Sequence, residues 1–182
     1  MNNSAEQYPA PVIWITGLSG AGKSTLATEV CAQIKHHGAT AVLLDGDEFR
    51  KVIDDNLGHD PNARLVNAFR LARMAKLISD QGVTVVCATM SLFPEIWAWN
   101  RENISYYQQI YLKADKETLE ARDNKGLYRA AREGKQENII GWDLAFEEPL
   151  NSDLVLMTSD YSLKTLPLIA QKIINHCSAP KF

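Results

Sequence analysis

Residues 17 to 24 read Gly-Leu-Ser-Gly-Ala-Gly-Lys-Ser, the spacing G-x-x-x-x-G-K-S of a polyphosphate-binding loop. Gly17, Gly20 and Gly22 let the backbone curl so that successive N–H groups, together with the N-terminus of the following helix, face one anion. In such a loop the lysine, Lys23, bridges the outer phosphates and the hydroxyl of Ser24 ligates Mg²⁺. Leu18, Ser19, Ala21 and Thr25 complete the candidate nucleotide-binding stretch, and ATP with Mg²⁺ is the cofactor pair that it implies. A second group follows the apolar run Ala41–Leu44, in Asp45-Gly46-Asp47-Glu48-Phe49-Arg50. Two acids one residue apart at a strand end point to different sides. Asp45 is therefore assigned to a water-mediated Mg²⁺ contact, and Asp47 to an acceptor hydroxyl as base or orienter. Phosphoryl transfer asks mainly for positioning and charge neutralisation, so that acceptor of a proton need not be strongly basic. Alone, Asp-Gly-Asp reads as a turn that ends a strand; its place beside the phosphate loop favours the chemical role.

Cations follow the same strand ends at Arg50, Arg64, Arg70, Arg73 and Arg101. Arg50 and Arg64 are the candidates for the crevice, and two or more of the five are expected on solvated helix faces. His36, His37 and His176 fall near helix C-termini, where a dipole or solvent role is expected. His59 differs, because it stands in a Gly58-His59-Asp60-Pro61 loop just before the Arg64 helix. Trp97 and Trp99 are expected to pack, with Trp97 close to the crevice.

The elements that must position these groups show in the alternation of apolar runs and helical periods. Strands are predicted at Val12–Thr16, Ala41–Leu44, Val83–Ala88, Gln109–Leu112 and Leu154–Met157, with helices between them. That order implies an α/β domain with a five-stranded parallel sheet wrapped by helices. Its ligand crevice lies outside the carboxyl ends of the strands, where the loop and both acids fall. The first helix is predicted over Lys23–His36 with an exit at Gly38, and another over Arg64–Ser79 that closes before Gly82. Asp123–Pro149 resists the pattern; it is charged, carries three glycines, and is predicted to be a mobile basic lid rather than a plain surface excursion.

The whole chain of 182 residues, 46% hydrophobic and 23% charged, fits one domain, with residues 1–11 as a tail. A net charge of −3 argues against nucleic acid held on a broad basic surface. No apolar run reaches the roughly 18 residues that span a membrane. Residues 1–11 carry neither a basic nor an apolar stretch of a signal peptide. Cys31, Cys87 and Cys177 lie far apart with no C-x-x-C pair, so a cytoplasmic protein with reduced, packed thiols is expected.

Together GLSGAGKST, LDGDEFR, the helix bearing Arg64 and Asn67, Met90-Ser91 and ARDNKGLYRAAREG resemble the adenylylsulfate kinase family from Val12 to about Thr158. The last stretch is the most specific of them. The resemblance implies a P-loop kinase fold with helices on both sheet faces and transfer of phosphate from MgATP to the ribose 3′-hydroxyl of adenylylsulfate. By the same resemblance Asp47, Arg50, Arg64, Asn67, Ser91 and Lys125 line the acceptor site. The resemblance also implies that Arg122 and the basic lid face ATP and that the protein forms a homodimer.

Departures from the family fall on the acceptor half. Two aromatic residues that hold the acceptor adenine in the family correspond to His59 and Ile139. The usual D-G-D-N reads Asp45-Gly46-Asp47-Glu48, and an arginine common after the third strand reads Trp97. Loss of two stacking faces removes ~1–3 kcal/mol per base contact on nucleotide-stacking magnitudes. The donor half is intact and the acceptor half rebuilt. Related kinases that phosphorylate cytidine diphosphoramidate show the same pattern, so adenylylsulfate and that cytidine nucleotide are both candidate acceptors. A regulatory module that binds ATP without transfer is the third reading, and Lys23, Ser24, Asp45 and Asp47 together count against it.

Overall fold

The computed structural model describes residues 8–53, 58, 60–123, 125–149, 151–160 and 162–177. Its centre is β1 (Val12–Gly17), every residue of which is buried. Strands β2 (Ala41–Asp45), β3 (Thr84–Thr89), β4 (Tyr107–Lys113) and β5 (Leu154–Met157) pair with it in the order β2-β3-β1-β4-β5, all parallel. The expected five strands are thus present, each within two residues of its predicted bounds.

Alternate residues of one strand serve two different cores. Val12 and Trp14 of β1, with Val85 and Cys87 of β3, pack on α3 (Pro61–Ser79) and α4 (Pro94–Asn103). Ile13 and Ile15, with Val86 and Ala88, pack instead on α1 (Lys23–His36) and α7 (Leu166–His176). Burial on both faces is what makes these strands read as continuous apolar runs. Cys31, Cys87 and Cys177 are all buried free thiols.

Local capping sets the helix starts. Asp60 accepts from the N–H groups of Asn62 and Ala63 at 3.0 and 3.1 Å, with Pro61 in the first turn, so α3 begins three residues before the expected Arg64. The expected strand-end alternation of Asp45 and Asp47 is not found. Asp45 ends β2, and the chain turns at once into α2 (Gly46–Ile53), with Asp47 in its first turn. The reason is the Asp45 carboxylate, whose Oδ1 accepts from the Asp47 and Glu48 N–H groups at 3.0 and 3.4 Å and so caps the helix.

The 123–149 segment, expected to be a basic lid, has buried residues and secondary structure of its own. After α5 (Lys116–Ala121) it contains α6 (Leu127–Arg132) and a bridge between Ile140 and Leu144. Tyr128, Ile139 and Ile140 are buried in the α1/α7-side core. Its continuous exposed run is residues 132–138.

Candidate active site

The phosphate loop leaves β1 at the centre of the sheet, where the connections diverge to β3 on one side and β4 on the other. An open α/β sheet binds ligands at such a point. Gly22 adopts φ +88°, a left-handed conformation suited to glycine, and caps the start of α1 with no side-chain hydrogen bond. A cleft of about 480 Å³ lies over this loop. Ser19, Gly20, Gly22, Lys23, Ser24 and Thr25 form its floor. Gly17, Leu18 and Ala21 do not line it; the Leu18 and Ala21 side chains are buried beneath the loop.

Opposite the loop stand Asp45, Asp47 and Arg50 from the β2–α2 junction, Arg64 and Asn67 from α3, and Ser91 after β3. Arg122 and Lys125 close the cleft from the α5–α6 side. Most of the candidate residues are therefore brought together. Ile139 is not among them: it is 4% exposed in the core, and its neighbour Ile140 reaches the cleft instead. His59 lies outside the described residues. Arg129 and Arg132 do not line the cleft, and Arg132 is paired with Glu120.

Ser24 Oγ donates to Asp45 Oδ2 at 2.5 Å. One carboxylate thus caps α2 and reaches the phosphate loop, which explains the Asp-Gly-Asp spacing better than strand alternation does. A hydroxyl and a carboxylate side by side form a hard-oxygen pair that suits Mg²⁺, an ion that takes one or two protein oxygens and completes its shell from phosphate and water.

Five cations, Lys23, Arg50, Arg64, Arg122 and Lys125, face three carboxylates, Asp45, Asp47 and Asp123, in the cleft lining. The molecule carries net negative charge, so this local excess selects an anionic ligand. Lys23 Nζ donates to the Leu18 carbonyl at 2.7 Å. Burial pulls its pKa down to about 8; Asp47 and Asp45 oppose the shift, and the charge of Lys125 adds to it. Burial alone would raise the Asp47 carboxyl, but its hydrogen bond and ion pair with Lys125, together with the charges of Lys23 and Lys51, hold it below the usual range. Burial and the neighbouring Arg50 likewise lower the Arg64 guanidinium. Arg50 is oriented by a 2.6 Å bond from Nη1 to the Gly58 carbonyl. The buried Asn67 Oδ1 has no hydrogen-bond partner among the described residues and belongs to a cleft-lining residue, so it is placed to accept from a ligand.

The turn after β3 is held from behind. Trp97 Nε1 donates to the Ser91 carbonyl at 3.0 Å, and the Thr89 and Ser91 hydroxyls are 2.8 Å apart. Trp97 therefore positions the Ser91 turn rather than lining the cleft. Arg101 lies away from it, pairing with Asp153 and donating to the Asn151 carbonyl at 2.6 Å, while Arg73 stacks over Phe69. Sequence reasoning missed Tyr128, whose phenol donates to the Ser19 carbonyl at 2.9 Å, and Phe93 and Ile140, which line the cleft. Tyr128 stood inside the quoted KGLY stretch, but nothing in its spacing told that the ring would turn toward the phosphate loop.

Comparison with known proteins places this geometry. Residues 9–157 match the family described as adenylylsulphate kinase. The cytidine diphosphoramidate kinase of Campylobacter jejuni is 36% identical over 148 residues, 81% of this chain and 86% of that one. The adenylyl-sulfate kinase of Paraburkholderia xenovorans is 40% identical over 148 residues, 81% of this chain and 83% of that one. Among solved structures, the Mycobacterium tuberculosis APS kinase in complex with AMPPNP and APS superposes with a TM-score of 0.86 at 32% identity, covering 94% of this chain and 99% of the other. On the family match over residues 9–157 and these identities, the chain belongs to the adenylylsulphate kinase family and is a kinase that transfers phosphate to a hydroxyl group.

Proposed function

We propose that this kinase moves the γ-phosphoryl group of ATP to the ribose 3′-hydroxyl of a nucleotide with an anionic 5′ group, adenylylsulfate being the acceptor that most of its named relatives suggest. The observation that carries this is the facing of Lys23 and Ser24 by Asp47, Arg50, Arg64 and Lys125 across one cleft. The acceptor 3′-oxygen attacks the γ-phosphorus, the bond to the β–γ bridging oxygen breaks, ADP leaves, and the hydroxyl proton passes toward Asp47. A carboxylate held below its usual range is a weak base and a good orienter. That suits a loose transition state in which the proton leaves late. Lys23 and the loop N–H groups stabilise the charge on the transferring phosphates. Bound Mg²⁺, held by Ser24 and through Asp45, would neutralise phosphate charge.

The acceptor side also supports a second reading, with cytidine diphosphoramidate in place of adenylylsulfate. The position that the family resemblance gives to an aromatic face, Ile139, is buried in the core, and the Campylobacter relative bears that name. The experiment is ADP release measured side by side with adenylylsulfate, cytidine diphosphoramidate and uridine diphosphate controls. A kcat/KM for adenylylsulfate at least 10³-fold above the cytidine nucleotide, about 4 kcal/mol, sustains the first reading, and the reverse order sustains the second. Turnover of neither removes both.

A further inference from the structure

A second cavity of about 420 Å³ opens beside the cleft, and neither the sequence motifs nor the proposed reaction accounts for it. Arg64, Phe93 and Ile140 line both spaces, so the two adjoin across these three residues. From this we propose that the side cavity, walled by Phe93, Leu144 and Phe146, seats the nucleobase of the acceptor and reads an exocyclic amine on it. The proposal rests on the nucleotide-kinase reading above.

Polarity sorts the two spaces. The cleft proper concentrates cations, which fixes the end of the acceptor that carries phosphate or sulfate. In the side cavity the charged groups are Glu95 and Glu147, apart from Arg64 at the junction. Two carboxylates repel an anionic group and leave that space to a neutral one. Phe93 and Phe146 are half-buried and belong to the cores on opposite faces of the sheet, Phe93 beside α3 and α4, Phe146 beside the α1/α7-side cluster. Flat apolar faces of this kind stack with any base. They replace the face that the core position of Ile139 withholds.

The carboxylates add selectivity among bases. Glu95 stands in the first turn of α4, and neither it nor Glu147 forms an ion pair among the described residues. A carboxylate accepts from the amine of cytosine or adenine and meets a carbonyl oxygen on uracil or guanine, which it repels.

The test uses the full chain and whichever acceptor, adenylylsulfate or cytidine diphosphoramidate, the wild type turns over in the ADP-release assay. Phe146→Leu keeps apolar volume and removes the flat face. Its expected effect is a rise of about tenfold or more in acceptor KM, with the KM for ATP and the melting temperature unchanged. An acceptor KM within twofold of wild type, in a variant that still melts as wild type does, overturns the base seat while leaving the kinase reading intact. Failure of the wild type to use any nucleotide acceptor overturns the kinase reading itself. The paired variant Glu95→Gln/Glu147→Gln is expected to erase a preference for cytidine over uridine diphosphates. Persistence of that preference overturns the amine assignment.

Discussion

The Tyr128 phenol donates to the Ser19 carbonyl at 2.9 Å, joining α6 to the phosphate loop across 109 residues of sequence. Trp142 packs beside the Tyr128 ring at 6.1 Å, and Lys116 Nζ sits 4.0 Å from the Trp142 ring centre. Burial pushes the Tyr128 pKa up to about 12, so the phenol stays a donor throughout the neutral range. One carbonyl of the loop is thereby fixed by a side chain of α6. Tyr128→Phe deletes one buried bond worth ~1 kcal/mol and is expected to raise the KM for ATP about fivefold. Steady-state kinetics with a melting curve check this; an unchanged KM would leave the bond structural only.

Lys23 carries a pH signature. Its charge in the free enzyme is lost as pH rises through about 8, so kcat/KM for ATP is expected to fall above that value. Bound phosphates favour the charged amine, so kcat at saturating ATP holds to higher pH. Stability moves the other way: between about 8 and the ordinary 10.5 the unfolded chain binds more protons, and the contribution of this residue to stability rises with pH. Rate profiles across that interval decide it, and a flat kcat/KM would show that Lys23 does not act through its charge.

Asp47→Asn keeps shape and loses charge, and a loss of about 10²-fold in kcat is expected with little change in the KM for ATP. Lys125 is what holds the Asp47 carboxyl low, so Lys125→Ala is expected to move the acid limb of the kcat profile upward, toward the ordinary carboxylate range. Should Asp45→Asn be inactive and Asp47→Asn near wild type, the roles of the two acids are exchanged.

Strands and the first helix were legible because burial on both sheet faces writes itself as apolar runs, and Gly38 ends α1 where its positive φ demands. The motif residues converge for the same reason, since strand ends of a parallel sheet share one crevice. What was not legible is side-chain destination. Asp47 read as a strand-end residue because nothing in DGDE announces that Asp45 will cap its own helix. Ile139 and Ile140 are adjacent, alike and both buried in the core, and nothing in the sequence tells that Ile140 alone also lines the cleft. Charge density is what makes 123–149 read as a lid, and it carries no sign that Tyr128 and Ile139 are buried within that segment.

Ligand-linked motion should accordingly be confined. Residues 132–138 form an exposed run between the buried Tyr128 and Ile139. With an ATP analogue and acceptor both present, hydrogen exchange is expected to slow in this run and near Lys125, while amides of 139–144 are already protected without ligand. Equal slowing across 123–149 would instead show a lid that moves as one body.

Gly141 is the other tie between this segment and the loop. A Cβ placed there would lie 2.7 Å from Leu18 Cδ1, at φ +84°. Gly134, at φ +67°, has nothing within 4 Å of the same added atom. Alanine at either site bears the left-handed backbone cost of ~1–2 kcal/mol, and at 141 alone the methyl also presses on Leu18 beneath the phosphate loop. Both variants are expected to lose that much stability. Only Gly141→Ala should also raise the KM for ATP, because displacing Leu18 shifts the carbonyl that accepts from Lys23. The comparison separates backbone strain from loop displacement, and equal KM values for the two variants would show that Leu18 gives way without moving the loop.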